Sequence, residues 1–197
     1  MNKASPQSLD QAWSWTLISG GVTLLLAVVA FFLPDIDILP KSGIVGWLLL
    51  LAGLFELAFG LKRGLGAVAQ AAVGSGVITA LAGLLFVANP AAGYFPIANI
   101  VMAWLFLRGA WVLAMALRLR GRSLSAWLVL SGATDLLLAF ALLANLPIIT
   151  LVYLLFGPTP EVVARFALIL AASFIVTAIA QIAIALADRR KSVSAAV

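Results

Sequence analysis

Three ionisable side chains stand inside long apolar runs of this 197-residue chain: Glu56, Arg108 and Asp135. They are where it could do chemistry. A charge at the centre of a membrane helix costs about 2.5–3.5 kcal/mol on insertion scales, so each needs a partner or a task. Arg108 and Asp135 lie equally far from the middle of a basic turn near Gly121-Arg122. Two antiparallel helices joined there would hold them at one depth, ~15–20 Å from the turn and close to a bilayer midplane. The expected arrangement is a buried ion pair in which the guanidinium keeps the Asp135 carboxylate charged. Such a pair can lock two helices together, or it can relay a proton or an ion. Glu56 is placed nearer the same end, about 9 Å along its helix from Lys62, within reach of Gln70 or Ser75 on the next helix. It is either a hydrogen-bonded packing residue or a titrating acid that senses pH on that side.

Other chemistries find no residues. The chain has no cysteine and no histidine, which excludes disulfides, thiol nucleophiles and His/Cys metal sites. Its glycines are spaced for helix packing and not to cradle phosphate. The chain is therefore not expected to be an enzyme, and no cofactor is expected.

The elements that must position the three residues follow from composition. Hydrophobic residues make up 64% of the chain and charged residues only 10%, with a mean hydropathy of +1.19. A water-soluble domain of this size would carry roughly 25% charged residues. Six segments reach the ~20 apolar residues that a span needs: Trp13–Leu33, Gly43–Leu61, Ala67–Ala88, Ile97–Leu117, Ala126–Leu146 and Phe166–Ala187. Each is apolar all round, the pattern of a helix in lipid. The fold class is thus all-α, a single six-helix transmembrane domain over residues 1–197. Breaks are expected at Pro34 and Pro40, Gly64 and Gly66, Asn89-Pro90 with Pro96, Gly121, and Pro147 through Pro160. The first run is as long as a full span with no small-residue cleavage site after it, so it reads as a retained helix and not a signal peptide. Between spans five and six, Pro147–Arg165 forms the longest connection; its apolar run Ile148–Phe156 is too short to cross, and either lies at the interface or extends a helix.

Orientation comes from the basic residues. One side holds Lys3, Lys62, Arg63, Arg118, Arg120, Arg122, Arg189, Arg190 and Lys191; the other holds Lys41 and Arg165. The bias predicts cytoplasmic termini. It also accounts for the net charge of +5 without nucleic acid as a partner. Trp13, Trp15 and Trp127 are expected as interfacial anchors at the cytoplasmic ends, and Tyr94 with Phe95 on the outer side.

The chain repeats itself. Ser19-Gly20 recurs as Ser75-Gly76 and as Ser131-Gly132, followed in register by Thr23, Thr79 and Asp135. Pro34 matches Pro90, Gly53 matches Gly109, and Lys62 matches Arg118. After an insertion in the last unit, Ala178, Ala185 and Leu186 fall into place. The reading is three tandem helical hairpins of about 56 residues, spanning 13–63, 67–122 and 126–190, related by an axis along the membrane normal. Small residues one turn apart on the odd helices (Ser19, Thr23, Ala27 and their counterparts) let backbones approach closely. Alternatively, their hydroxyls line a cavity about the pseudo-threefold axis. The Arg108/Asp135 pair belongs to one hairpin junction alone, since the corresponding residues are Ala52 and Thr79.

The stretches "GLFELAFGLKRG" from Gly53, "AWLFLRGAWVLAMALRLRGR" from Ala103 and "WLVLSGATDLLLAFALLANLP" from Trp127 resemble the HdeD-type acid-resistance membrane proteins. The resemblance covers about Trp13–Ala187. It implies a bacterial inner-membrane protein tied to survival of acid or other stress, and it transfers no functional residue. The lipid bilayer is the expected surrounding, with self-association or other membrane subunits as partners. Two further readings stay open, an accessory subunit of a larger membrane complex and a small channel or transporter built on the Arg108/Asp135 layer.

Overall fold

The computed structural model describes residues 6–33, 41–64, 66–88, 94–119, 123–156 and 160–196. These form six α-helices and, among the described residues, no strand. They are α1 (Pro6–Phe32), α2 (Lys41–Arg63), α3 (Ala67–Ala88), α4 (Tyr94–Arg118), α5 (Ser123–Phe156) and α6 (Pro160–Ala196). All six are long and apolar enough to cross a membrane. Large apolar side chains such as Leu25, Leu61, Leu107 and Leu137 point outward, each more than half exposed. In water that surface would be untenable, whereas lipid solvates it.

Gly64 closes α2 with φ +84°, a left-handed cap that a Cβ would disfavour. Two residues on, the Gly66 carbonyl accepts from the Gln70 amide at 2.9 Å and starts α3. Pro96 sits in the first turn of α4, where a missing N–H costs nothing. Pro147 does not end its span, because α5 runs through it to Phe156. Of the two readings of that segment, the helical extension is the one observed. Pro160 begins α6. The breaks expected at Pro34 and Pro40, at Asn89-Pro90 and at Gly121 lie outside the described residues, as do the side chains of Tyr94 and Phe95.

The helices form a ring in chain order, with α6 packed on α1 to close it. The tightest pairings are α2 with α3, α4 with α5, and α6 with α1. They fall between the expected hairpin units and not within them. The Ser-Gly pairs explain why. A Cβ on Gly76 would strike the Leu57 backbone and the Gly53 carbonyl; one on Gly132 would meet the Gly109 carbonyl and Leu113. One on Gly20 would meet the Ala178 carbonyl and Ile182. Leu57, Leu113 and Ile182 occupy one register position of the repeat, and so do Gly53, Gly109 and Ala178. The same crossing is therefore built three times, and the third copy joins the two ends of the chain. Its stripe residues Ser19, Thr23 and Ala27, like Ser75, Thr79 and Gly83 and like Ser131, Asp135 and Ala139, are all buried.

One half of the interior is a continuous apolar plug that includes Leu33, Leu49, Phe86, Val101, Leu105, Leu170 and Phe174. A smaller cluster, with Ala71, Met115, Leu124 and Ile184, lies towards the end carrying the α2–α3 and α4–α5 turns. The polar side chains sit between them.

The crossings make a prediction. Gly53→Val, which must push the Ala80 backbone aside, should cost about 3 kcal/mol or more. Gly21→Ala, one residue from a crossing but facing open space, should be neutral or stabilising by about 0.5–1 kcal/mol. Unfolding of both variants in detergent, followed by circular dichroism, checks the contrast.

Candidate functional site

Arg108 on α4 is only 2% exposed and stands at the centre of the polar layer. Its Nη1 donates to Asp135 Oδ2 on α5 at 2.5 Å, and its Nη2 donates to Thr177 Oγ1 on α6 at 3.0 Å. Nη2 also lies 3.6 Å from Glu56 Oε1 on α2. The guanidinium thus joins four helices. Ser173 Oγ donates to Asp135 Oδ1 at 2.6 Å, so both oxygens of that carboxylate are held. Thr177 in turn donates to the Ser173 carbonyl at 2.9 Å and lies 3.4 Å from Ser131 Oγ. Nε of Arg108 has no hydrogen-bond partner.

Glu56, 8% exposed, is bound differently. Its Oε1 accepts from Ser75 Oγ at 2.7 Å, while Ser75 Oγ also lies 2.7 Å from the Ala71 carbonyl. A hydroxyl has one hydrogen, so only one of those bonds is donated at a time. With Glu56 ionised, Ser75 donates to the carboxylate. With Glu56 protonated, Ser75 can accept from it and donate to Ala71 instead. The pocket therefore satisfies both protonation states, whereas Asp135 is dressed as a carboxylate on both oxygens. One arginine faces two acids, which leaves one negative charge for a proton to neutralise.

Beside this layer lies a cavity of ≈40 Å³. At about 10–15 Å³ per water centre it has room for roughly three water molecules. Its walls include Thr16, Glu56, Ser75, Arg108, Ser131, Thr177 and Gln181. The lining follows the repeat, for Glu56, Val112 and Gln181 share one register position and all three face the cavity. Gln181 Oε1 and Ser19 Oγ are buried without a hydrogen-bond partner.

Arg108, Asp135 and Glu56 thus come together in one cluster. Glu56 is nearer the turn end, as its place in α2 requires, yet it joins the same cluster. Glu56 follows Ala52, the register counterpart of Arg108, by one helical turn, and an arginine side chain spans that distance. Ser75 meets Glu56, whereas Gln70 is exposed and its backbone carbonyl accepts from Trp111 Nε1 at 3.2 Å. Ser173, Thr177 and Trp104 went unseen in the sequence. Thr177 holds Arg108's register position and Ser173 holds Trp104's, a correspondence that the insertion before α6 obscures. Trp104 is 2% exposed, donates to Thr79 Oγ1 at 3.0 Å and packs edge-on against Phe174. At the turn end, Lys62 Nζ sits 3.8 Å over the Trp15 ring and Arg189 5.3 Å over Trp13. Among the described residues no group of three or more His, Cys, Asp or Glu could hold a metal ion.

A family model described as a short repeat of unknown function (DUF308) matches the chain twice in tandem, over residues 18–74 and 74–144. The two matches begin 56 positions apart, the period of the Ser-Gly pairs. α6 lies beyond them. No curated protein and no solved structure matches the chain.

The buried cluster predicts asymmetric mutational costs. Arg108→Ala strands two carboxylates and should destabilise by about 3–5 kcal/mol. Arg108→Met combined with Asp135→Leu should cost clearly less than the sum of the two single changes. A double-mutant cycle on unfolding in detergent reads this, and strict additivity would show that the pair is not coupled.

Proposed function

The chain belongs to the family of the short repeat of unknown function (DUF308), and on that premise we propose that this integral membrane protein serves acid or other stress resistance by binding a proton at Glu56. The observation that carries the reading is the pair of carboxylates around Arg108, one fixed by two donors and the other on a serine that can reverse its hydrogen bond. In the proposed step a hydronium ion gives its proton to the Glu56 carboxylate and becomes water. Ser75 then turns its hydroxyl to Ala71. The buried layer passes from one net negative charge to neutral, which removes an uncompensated charge from the bundle interior. The groups facing Glu56 are Arg108 from α4 and Asp135 from α5, with the uncharged Ser75 of α3, Thr16 of α1 and Gln181 of α6 around the same cavity.

The resemblance to HdeD-type proteins supports the stress role and a bacterial inner membrane, and the basic bias of the turn end supports cytoplasmic termini. Cytoplasmic acidification would then be the signal. The apolar plug on the far side, built around Leu49, Phe86 and Phe174, argues for a proton-responsive element over a through-channel. No substrate is turned over. Any partner is another membrane protein or a second copy.

Infrared difference spectroscopy in proteoliposomes provides the test. Acidification should produce a protonated-carboxyl band that disappears in Glu56→Gln and persists in Thr134→Ala, whose hydroxyl lies outside the cluster. In cells lacking the protein, wild type should restore survival of acid shock and Glu56→Gln should not. Full restoration by Glu56→Gln would sink the proposal.

A further inference from the structure

We infer that the ≈40 Å³ cavity is a water-bearing vestibule that opens only to the turn end of the bundle, through a gate formed by Arg63, Asp188 and Thr16. The inference rests on the proton-binding reading of Glu56 and adds the route and the side. Three observations carry it. First, seven of the fifteen residues that line the cavity are polar, among them Glu56, Ser75, Ser131 and Gln181, set among apolar ones such as Phe59, Val112 and Leu128. A cavity of that size has room for water, and its polar side chains supply the two to four partners that a buried water needs.

Second, the wall leads outward along three helices at once. Phe59 on α2 and Ile184 on α6 line the cavity, and one turn beyond them stand Arg63 and Asp188. These two form an ion pair, and Arg63 Nη1 also donates to Thr16 Oγ1 of α1 at 2.8 Å. Thr16 is itself a lining residue and only 1% exposed, whereas Arg63 and Asp188 are 13% and 19% exposed. The trio therefore bridges cavity and surface. From Glu56 to Arg63, and from Gln181 to Asp188, the rise is about 10 Å, which a few waters span. Third, among the described residues no such line leaves the other side of the polar layer, where the apolar plug follows directly.

Water held between Arg63 and Glu56 passes a proton inward by successive transfers, each molecule taking one proton and releasing another. Parting of the Arg63–Asp188 pair admits the incoming one. Only the face that carries the termini is in contact with the buried acid.

The absence of cysteine makes the route measurable in the full chain. Single Ala180→Cys and Ala72→Cys variants place a thiol on opposite walls of the cavity, and Ala139→Cys places one in the apolar interior. The probe is silver ion in chloride-free buffer, applied to one face of oriented proteoliposomes. Thiols left free are then counted by alkylation and mass spectrometry. Silver at the face bearing the termini should consume the thiols at 180 and 72, roughly tenfold faster when Arg63→Gln is added. The opposite face should give no reaction, and the thiol at 139 none from either. Two walls are used so that one misfolded variant does not decide the matter. Reaction from the opposite face, or none from either face even with Arg63→Gln, overturns the vestibule. If that happens while the Glu56 carboxyl band still follows pH, the route alone is wrong; if the band is absent, proton binding itself fails.

Discussion

A guanidinium that is 98% covered by protein, in a bundle whose outer surface is meant for lipid, must find its compensation inside. Arg108 draws a helix into place for each of its needs. α5 brings the Asp135 carboxylate, α6 brings Thr177, and α2 brings Glu56. The desolvation that makes such a charge expensive also makes its hydrogen bonds hard to exchange for anything else. Four of the six helices are therefore tied to one side chain, and the register of α6 against α5 is set by Ser173 reaching Asp135. Close backbone crossings supply the other constraint. They bring α4 within reach of α5 at Gly109 and Gly132, directly beside the ion pair.

Much of this was legible in the amino-acid sequence. Length and hydropathy define six spans, and the observed helices keep those spans while extending several of them. The depth match of Arg108 and Asp135 about one turn is enough to bring them together, because two antiparallel helices of fixed rise leave little freedom. The 56-residue register identified the glycines as packing residues. It did not say which helices they would join, since small residues permit close approach to either neighbour. That choice belongs to the shape of the facing helix, where Gly53, Gly109 and Ala178 are small in turn.

The contribution of α6 was hidden for a different reason. Ser173 and Thr177 are modest hydroxyls in a long apolar run, and an insertion displaces them from the repeat register. Nothing in their local pattern separates them from ordinary helix hydroxyls that bond back to their own backbone, as Thr23 and Thr134 do. Glu56 illustrates the limit of axial distance as a guide. It is one turn from Arg108's level, but a flexible side chain with its charge at the far end erases such a difference. Pro147 was misleading as punctuation, since α5 carries it inside the helix and continues to Phe156.

The third crossing, where α6 meets α1, has a bearing on how the protein is made. A ribosome delivers α1 first, with Thr16, Ser19 and Thr23 already on its inward face, and delivers their packing partner last. Until then the first helix has no Ala178 or Ile182 to lie against, and Arg108 and Asp135 can meet without Thr177 and Ser173 to hold them. Assembly of the ring is thus completed by its final segment, and a chain broken off before α6 presents an open seam with hydroxyls and a half-dressed ion pair towards the bilayer. That seam distinguishes a finished molecule from an unfinished one.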